Sequence, residues 1–390
     1  MREVVIVDGV RTPIGRAHKE KGDLRTLKAP DMVSALIKAI LQRNPKIKPE
    51  ELDGIYIGCA NQTGSQHGIA RLTWLGMGLP VHVPAVAVEM QCASAMAAIH
   101  SVANAIIADM GDMYLVGGVE DMLHVPMGFN IEFWNQIAKF WNPFELPMGM
   151  TAEKVARTYN ITREEMDKFG YESHIKACKA WDAGKFKDEV VPLEVTYEDG
   201  SKKVIDRDQG PRADTTIEKM AQLKPAFLPP EQSKGVTAGN SSPLNQGAAL
   251  LLLMERSKAD KMGLSYHLKF KSGAIAGVDP TIMGMGPVPS SQKALKKAGL
   301  AAKDIDVVEI NEAFASQSIA SLRELGIPQE KANLWGGGIA IGHPLGASGA
   351  RITVTLNSIM KTDRKDAKYG LATLCVGFGQ GAATIWERAK

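Results

Sequence analysis

Three side chains with reactive heteroatoms stand on turns rich in glycine or alanine: Cys92 in VEMQCASAMAAIH, His343 in GGGIAIGHPLGASGAR, and Cys375 at the head of CVGFGQG. Small residues let a backbone approach a bound molecule closely, so two thiols and an imidazole so placed suggest thiol-based acyl chemistry. Cys92 lies where an extended apolar run, Val83 to Met90, gives way to a helix. Free N–H groups and the macrodipole at a helix start favour an anion, which predicts a thiol biased toward the nucleophilic thiolate. The competing reading is a buried core cysteine. His343 is bracketed by Gly342 and Pro344, a turn expected to fix the ring while giving it no adjacent side chain to pack on, against the alternative of a satisfied structural histidine. Cys59, at a strand end, and Cys178, on a polar helix, read as structural.

The elements that must position these groups follow from hydrophobic patterning. Strand-like VVIVDGV, GIYIGCA and MYLVGGV alternate with helical APDMVSALIKAILQ and ASAMAAIHSVANAIIADM, which indicates α/β layering. The helix after Cys92 is apolar on almost every side and is expected to be buried all round, between two sheets. The second half repeats the plan. DVVEINEAFA supplies a strand, a glycine-rich turn carries His343, GARITVTLNSIM is a helix, and GLATLCVGFGQGAATIWE closes with strands. Between the halves the chain turns polar and proline-rich, as expected of an inserted loop domain over the substrate. The boundaries read as an N-terminal half of residues 1–119 plus 249–268, an insertion of 120–248, and a C-terminal half of 269–390.

Composition narrows the function classes. A chain of 390 residues exceeds the usual single core and implies two or three domains. With 46 basic against 43 acidic residues, nothing advertises nucleic acid or a membrane surface. The longest apolar run, Ala248 to Met254, falls far short of the ~20 residues that span a bilayer and reads as a buried strand. No targeting segment is visible at the start. The four cysteines form no CxxC pair, which points to free thiols in a reducing cytoplasm and to no zinc site.

The trio and its separations resemble the thiolase family, and the resemblance covers nearly the whole chain. VVIVDGVRTPIGR, LVGGVEDMLHVPM, MGMTAEKVA, VTAGNSSPLNQGAA and EINEAFA occur in family order ahead of the two C-terminal blocks. The resemblance implies a duplicated, five-layered αβαβα fold with the insertion between its halves, and is strongest to the fatty-acid-degrading 3-ketoacyl-CoA thiolases. It implies that Cys92 accepts the acyl group, that His343 assists thiolate formation and donates to the thioester oxygen, and that Cys375 moves the α-carbon proton. Asn311, through a held water, and His343 would form one oxyanion hole, with the backbone N–H groups of Cys92 and Gly377 forming the other. For coenzyme A it suggests Ser242 at the pantetheine, Arg212 and Lys219 near the nucleotide, and Met148 and Phe314 lining the slot. Coenzyme A would be a substrate, with no resident cofactor and no metal. Partners implied are acyl-CoA thioesters, further copies in a homodimer or homotetramer, and a hydratase/dehydrogenase subunit of a β-oxidation complex.

Acetoacetyl-CoA thiolase working in the condensing direction is the near alternative, and an inactive acyl-CoA-binding subunit or a cysteine hydrolase the remote ones. Two departures bear on specificity. The common CSSG after the nucleophile is CASA, Cys92 to Ala95, and the middle glycine of CxGGG is Phe378. Both narrow the space near an acyl chain. Pro147 stands before Met148 where short-chain biosynthetic thiolases have histidine, which favours the degradative branch. Six aromatic rings fall between Phe129 and Phe144, with Phe133, Ile137, Phe140 and Phe144 at helical spacing. Packing onto the insertion, an acyl-tail wall, and a docking face are the readings open to that segment.

Overall fold

The computed structural model describes residues 2–130 and 132–389. Nine strands carry the architecture: β1 Val4–Arg11, β2 Gly54–Gly58, β3 Ala85–Val88, β4 Met113–Asp121, β5 Asn245–Glu255, β6 Leu268–Gly277, β7 Val307–Ile310, β8 Tyr369–Val376 and β9 Gln380–Arg388. Their order is β3-β2-β4-β5-β1 in the N-terminal half and β6-β9-β8-β7 in the C-terminal half. The halves join through a single pairing, Val5 with Lys269. In each half a parallel pair (β2/β4, β7/β8) is followed by two antiparallel pairs (β4/β5 and β5/β1, then β8/β9 and β9/β6). The internal repeat in the sequence is therefore a repeat of sheet topology.

Three apolar cores separate five layers. One lies between β1, β2, β4, β5 and the outer helices α1 Ala29–Arg43 and α2 Ile69–Gly76. The central core surrounds α3 Ser94–Ile107 and a helix of the C-terminal half, Ser348–Thr362. The third lies beneath the C-terminal half's outer helices, Pro287–Ala298 and Ala315–Leu325. The two central helices lie close: a Cβ added at Gly349 would come within 2.6 Å of the Met96 backbone nitrogen. Each central helix begins at a reactive turn, one carrying Cys92 and the other following His343, so their packing brings the two turns together. As its composition predicts, α3 is buried on most of its surface.

The insertion leaves the sheet after Asp121 and rejoins it at Asn245, a little inside the 120–248 drawn from sequence. It is more ordered than a loop domain, containing helices Met148–Thr158 and Arg163–Asp182 and a hairpin, 193–196 with 202–205. Its apolar residues join the three cores of the main fold: Phe186 the central one, Leu193 and Val195 the first, Val155 and Phe169 the third. Fully buried Arg11 on β1 fixes it further, pairing with Glu189 (2.7 Å) and with both oxygens of Asp208 (2.7 and 2.9 Å). Among the described residues no helix is long and apolar enough to cross a membrane, and no cluster of three metal-ligating side chains occurs.

His100 on α3 supplies a pH test of this packing away from the reactive turns. Its Nε2 lies 2.7 Å from Thr384 Oγ1, and burial, with Lys297 nearby, pushes its pKa down to about 4. A base whose folded pKa lies below its unfolded value leaves the unfolded chain binding more protons. The stability it contributes is present above about pH 6.5 and is lost as pH falls toward 4. Between pH 7 and 5 the native chain should lose about 2 kcal/mol relative to His100→Gln. Thermal midpoints of both proteins at the two pH values check this, and parallel pH curves would contradict it.

Candidate active site

Cys92 sits in a one-turn 3-10 helix, Gln91–Ala93, leading directly into α3. Ser94 Oγ accepts from the Met90 N–H (2.9 Å) and donates to the Gln91 carbonyl (2.6 Å), which closes the turn. Gln91 is held at φ 46°, a left-handed conformation costing about 1–2 kcal/mol in an L-residue. The thiol is buried, and the backbone N–H groups of Gly377 and of Cys92 itself favour its charged form. Burial nevertheless pushes the thiol up to about 12. The expected bias toward thiolate is thus corrected: removal from water outweighs both the helix start and the two donors, and Glu120 and Glu89 add like charge.

His343 is not the open, unpacked ring its flanking residues suggested. It is buried, its backbone N–H donates to Asn245 Oδ1 (2.9 Å), and its Nδ1 lies 2.6 Å from Ser348 Oγ. The Ser348 hydroxyl donates to the Pro344 carbonyl (2.7 Å), so Ser348 Oγ must accept from an Nδ1–H. That tautomer leaves Nε2 as a lone pair, with Asn311 Nδ2 3.3 Å away. Burial, and then Arg351, hold the imidazole pKa down to about 3. The ring is therefore a neutral base whose Nε2 lone pair faces the Asn311 amide.

Cys375 is the penultimate residue of β8 and fully buried; burial first, then the adjacent Cys92, raises its thiol well above the ordinary range. The Cys92 turn packs against both β8 and the turn Leu345–Ala347 after His343. The two cysteines and the imidazole, 283 positions apart at the extremes by numbering from 92 to 375, thus converge. Asn311 joins them from the end of β7, its N–H donating to the Thr373 carbonyl (2.9 Å), while its Oδ1 is buried without a protein partner. At Gly377 a Cβ would meet Gln91 only at ordinary contact, 3.5 Å, so protein packing does not demand this glycine.

The other sequence-selected residues divide into two sets. Phe314 is buried, and the backbone before it is tied to Ser242, whose N–H donates to the Ala313 carbonyl (3.0 Å). Phe227 packs edge-on to Phe314 with ring centroids 5.9 Å apart, and its ring covers Gly149 beside Met148, where an added Cβ would come within 2.1 Å. Ser242, Met148 and Phe314 thus share one wall, and Phe227 is its unforeseen member. Arg212 and Lys219 are exposed on the insertion, and the Lys219 ammonium already pairs with Asp214 (3.2 Å).

Sequence reasoning also missed Glu120. Its buried carboxylate accepts from the backbone N–H groups of Ala60 (2.8 Å), Asn61 (3.2 Å) and Gly346 (2.8 Å), and from Gln66 Nε2 (2.9 Å). One side chain thereby ties the loop after β2 to the turn after His343. An acidic residue directly after the apolar run MYLVGGV was the available signal, since a buried carboxylate requires partners.

The aromatic segment differs most from expectation. Its stripe is not an α-helix; residues Asn135–Lys139 form a 3-10 stretch, and Trp134, Phe140 and Phe144 are each about four-fifths exposed. Packing onto the insertion is therefore not its arrangement. Among the described residues of the segment, only Phe133 pairs with another ring, meeting Phe378 edge-on at 5.7 Å. Two surface clefts of about 390 and 550 Å³ lie elsewhere, one lined by Asp8, Arg43 and Lys361, the other by Glu165, Lys176 and Arg323, and Cys92 borders neither.

Comparison with known proteins agrees with this geometry. Family models described as the thiolase N-terminal and C-terminal domains match residues 4–257 and 264–388. The chain is 46% identical over 392 residues to a 3-ketoacyl-CoA thiolase of Vibrio vulnificus, covering all of both chains. It is 47% identical over 391 residues to one of Marinobacter nauticus, covering 99% of this chain and 98% of that one. Among solved structures, the acetyl-CoA acetyltransferase of Bacillus anthracis superposes with a TM-score of 0.89 at 37% identity, over 100% of this chain and 99% of that one.

Proposed function

The chain belongs to the thiolase family, and from that premise we infer that it catalyses thiolytic cleavage of 3-ketoacyl-CoA by CoA, yielding acetyl-CoA and an acyl-CoA two carbons shorter. The observation that carries the reading is the packing of the Cys92 turn against both the strand end that bears Cys375 and the turn after His343, with the Asn311 amide 3.3 Å from the imidazole Nε2. Nucleophilic attack by Cys92 on the 3-keto carbon develops an oxyanion next to the Cys92 sulfur, where fixed backbone donors are worth most. The Cys92 proton passes to His343 Nε2, and the imidazolium, with Asn311, stabilises the thioester oxygen. Breaking the C2–C3 bond leaves an acyl-Cys92 thioester and the acetyl-CoA enolate, whose α-carbon takes the Cys375 proton. A second CoA thiol gives its proton to the Cys375 thiolate and attacks the acyl-Cys92 thioester. His343 then returns the first proton to Cys92, and the cycle closes.

A thiol held near pKa 12 beside an imidazole held near 3 stores this pair in the neutral state. Charge then forms only as the substrate oxygen receives it, which limits unproductive thiolate chemistry in the free enzyme. Our reading of the CoA path assigns Ser242 to the pantetheine, Met148 and Phe314 to the slot, and Arg212 and Lys219 to the nucleotide end, with CoA as substrate and no resident cofactor. It includes a homodimer or homotetramer in the cytoplasm and a hydratase/dehydrogenase subunit as supplier of the 3-ketoacyl-CoA. Condensation of acetyl-CoA, the reading that similarity to the B. anthracis acetyl-CoA acetyltransferase would suggest, is less favoured. Pro147, standing where short-chain biosynthetic thiolases have histidine, is the reason.

Cleavage of 3-ketoacyl-CoA substrates from four to sixteen carbons, with and without CoA, tests the assignment. CoA-dependent formation of acetyl-CoA is expected. Release of free acid at an equal rate without CoA would instead identify a hydrolase.

A further inference from the structure

We propose that the ring pair Phe133–Phe378 is the wall against which the acyl tail lies, and that it sets a preference for long, straight-chain 3-ketoacyl-CoA. The proposal rests on the thiolytic reading above and extends it to substrate length. Phe378 directly follows Gly377, where an added Cβ would lie 3.5 Å from the Gln91 side chain, next to Cys92, and adjacent Cα atoms are about 3.8 Å apart. Its backbone is held at φ 66°, the left-handed region that glycine adopts freely and a bulky aromatic rarely does. Gln91, the residue before Cys92, is held there as well, at φ 46°. Non-glycine residues held in this region cluster where a side chain has to be aimed, and here two of them flank one thiol.

The direction of aim is visible in the partner. Phe378 meets Phe133, at 5.7 Å between centroids and 80° between planes, although the two come from the C-terminal half and the insertion. The insertion is anchored near this point, Asn61 Nδ2 donating to the Phe129 carbonyl at 3.2 Å. Phe133 and Phe378 remain 53% and 42% exposed, so the pair is an apolar wall with an open face and not part of a core. An acyl chain attached to Cys92 and long enough to pass Gly377 meets that face; the two-carbon unit of acetoacetyl-CoA ends short of it. Hydrocarbon removed from water against the rings contributes with each added methylene.

The test measures kcat/KM for acetoacetyl-CoA, 3-ketooctanoyl-CoA and 3-ketohexadecanoyl-CoA in the native chain and in Phe133→Ala, Phe378→Gly, the double variant and Trp134→Ala. Glycine suits the left-handed position, so Phe378→Gly removes the ring without harm to the turn. The ratio of the sixteen-carbon to the four-carbon value should fall about tenfold or more in each single ring variant. The double variant should fall little further, because the rings act as one surface. Trp134→Ala, neighbouring but without a ring partner, should keep the native ratio. A ratio that is unchanged, that rises, or that falls equally in Trp134→Ala would overturn the proposal while leaving the thiolytic reading intact. Absence of CoA-dependent cleavage at every length in the native chain would overturn both.

Discussion

His343→Ala is expected to slow acyl transfer from acyl-CoA to Cys92 by roughly 10²- to 10⁴-fold, the usual worth of a positioned base, with the loss of an oxyanion donor added. The Cys92 thiol is pushed up to about 12 by burial, so without the imidazole almost none of it is ionised at neutral pH. The sign of the pH response follows. In the variant the thiolate fraction, and with it the acylation rate, should rise about tenfold per pH unit up to pH 10, because the whole range lies below the thiol pKa. The native rate should be much flatter, since His343, held near 3, is a neutral base throughout. Mass spectrometry of the intact protein after rapid mixing with acyl-CoA measures the adduct, and peptide mapping locates it. An adduct on Cys375 or Cys178 would reverse the assignment of nucleophile, and a variant as fast as the native protein would remove the base.

Much of this arrangement was legible because the reactive turns sit at the starts of strongly apolar central helices. The alternation of strand and helix, the burial of α3 and the repeated half-domain plan follow from hydrophobic periodicity, which depends on local sequence. The convergence of Cys92, His343, Cys375 and Asn311 required family order of motifs, because no local rule joins β7, β8 and two separate turns. What escaped was set by tertiary context. The helix-start argument for Cys92 counted favourable N–H groups and omitted the desolvation of a sealed site. The helical spacing of Phe133 to Phe144 does not produce an α-helix: Asn135–Lys139 forms a 3-10 stretch, and Pro143, which cannot continue a helix, starts a separate turn before Phe144. The left-handed Gln91 and Phe378 carry no periodic signal, and backbone dihedrals alone identify them.

Cys375→Ser separates the two thiols by function. With Cys92, His343 and both backbone donors intact, the variant should still take an acyl group onto Cys92 from acyl-CoA. Overall thiolysis should fall by roughly 10²- to 10⁴-fold, because a hydroxyl is a far poorer proton donor to an enolate carbon and a far poorer acceptor from the CoA thiol. The substitution is nearly isosteric at a fully buried strand position, so folding is not the limiting concern, and an unchanged thermal midpoint would verify that. Burial and the neighbouring Cys92 keep Cys375 protonated at neutral pH, so it enters the cycle as the acid that meets the acetyl-CoA enolate, and becomes a base only after that proton is spent. Exchange of the acetyl-CoA α-hydrogens with deuterated solvent, followed by NMR, reads this step without the rest of the cycle. Exchange should be lost in Cys375→Ser while Cys92 acylation persists. Near-normal turnover with normal exchange would take the second thiol out of the mechanism, leaving His343 or a solvent path as the proton donor.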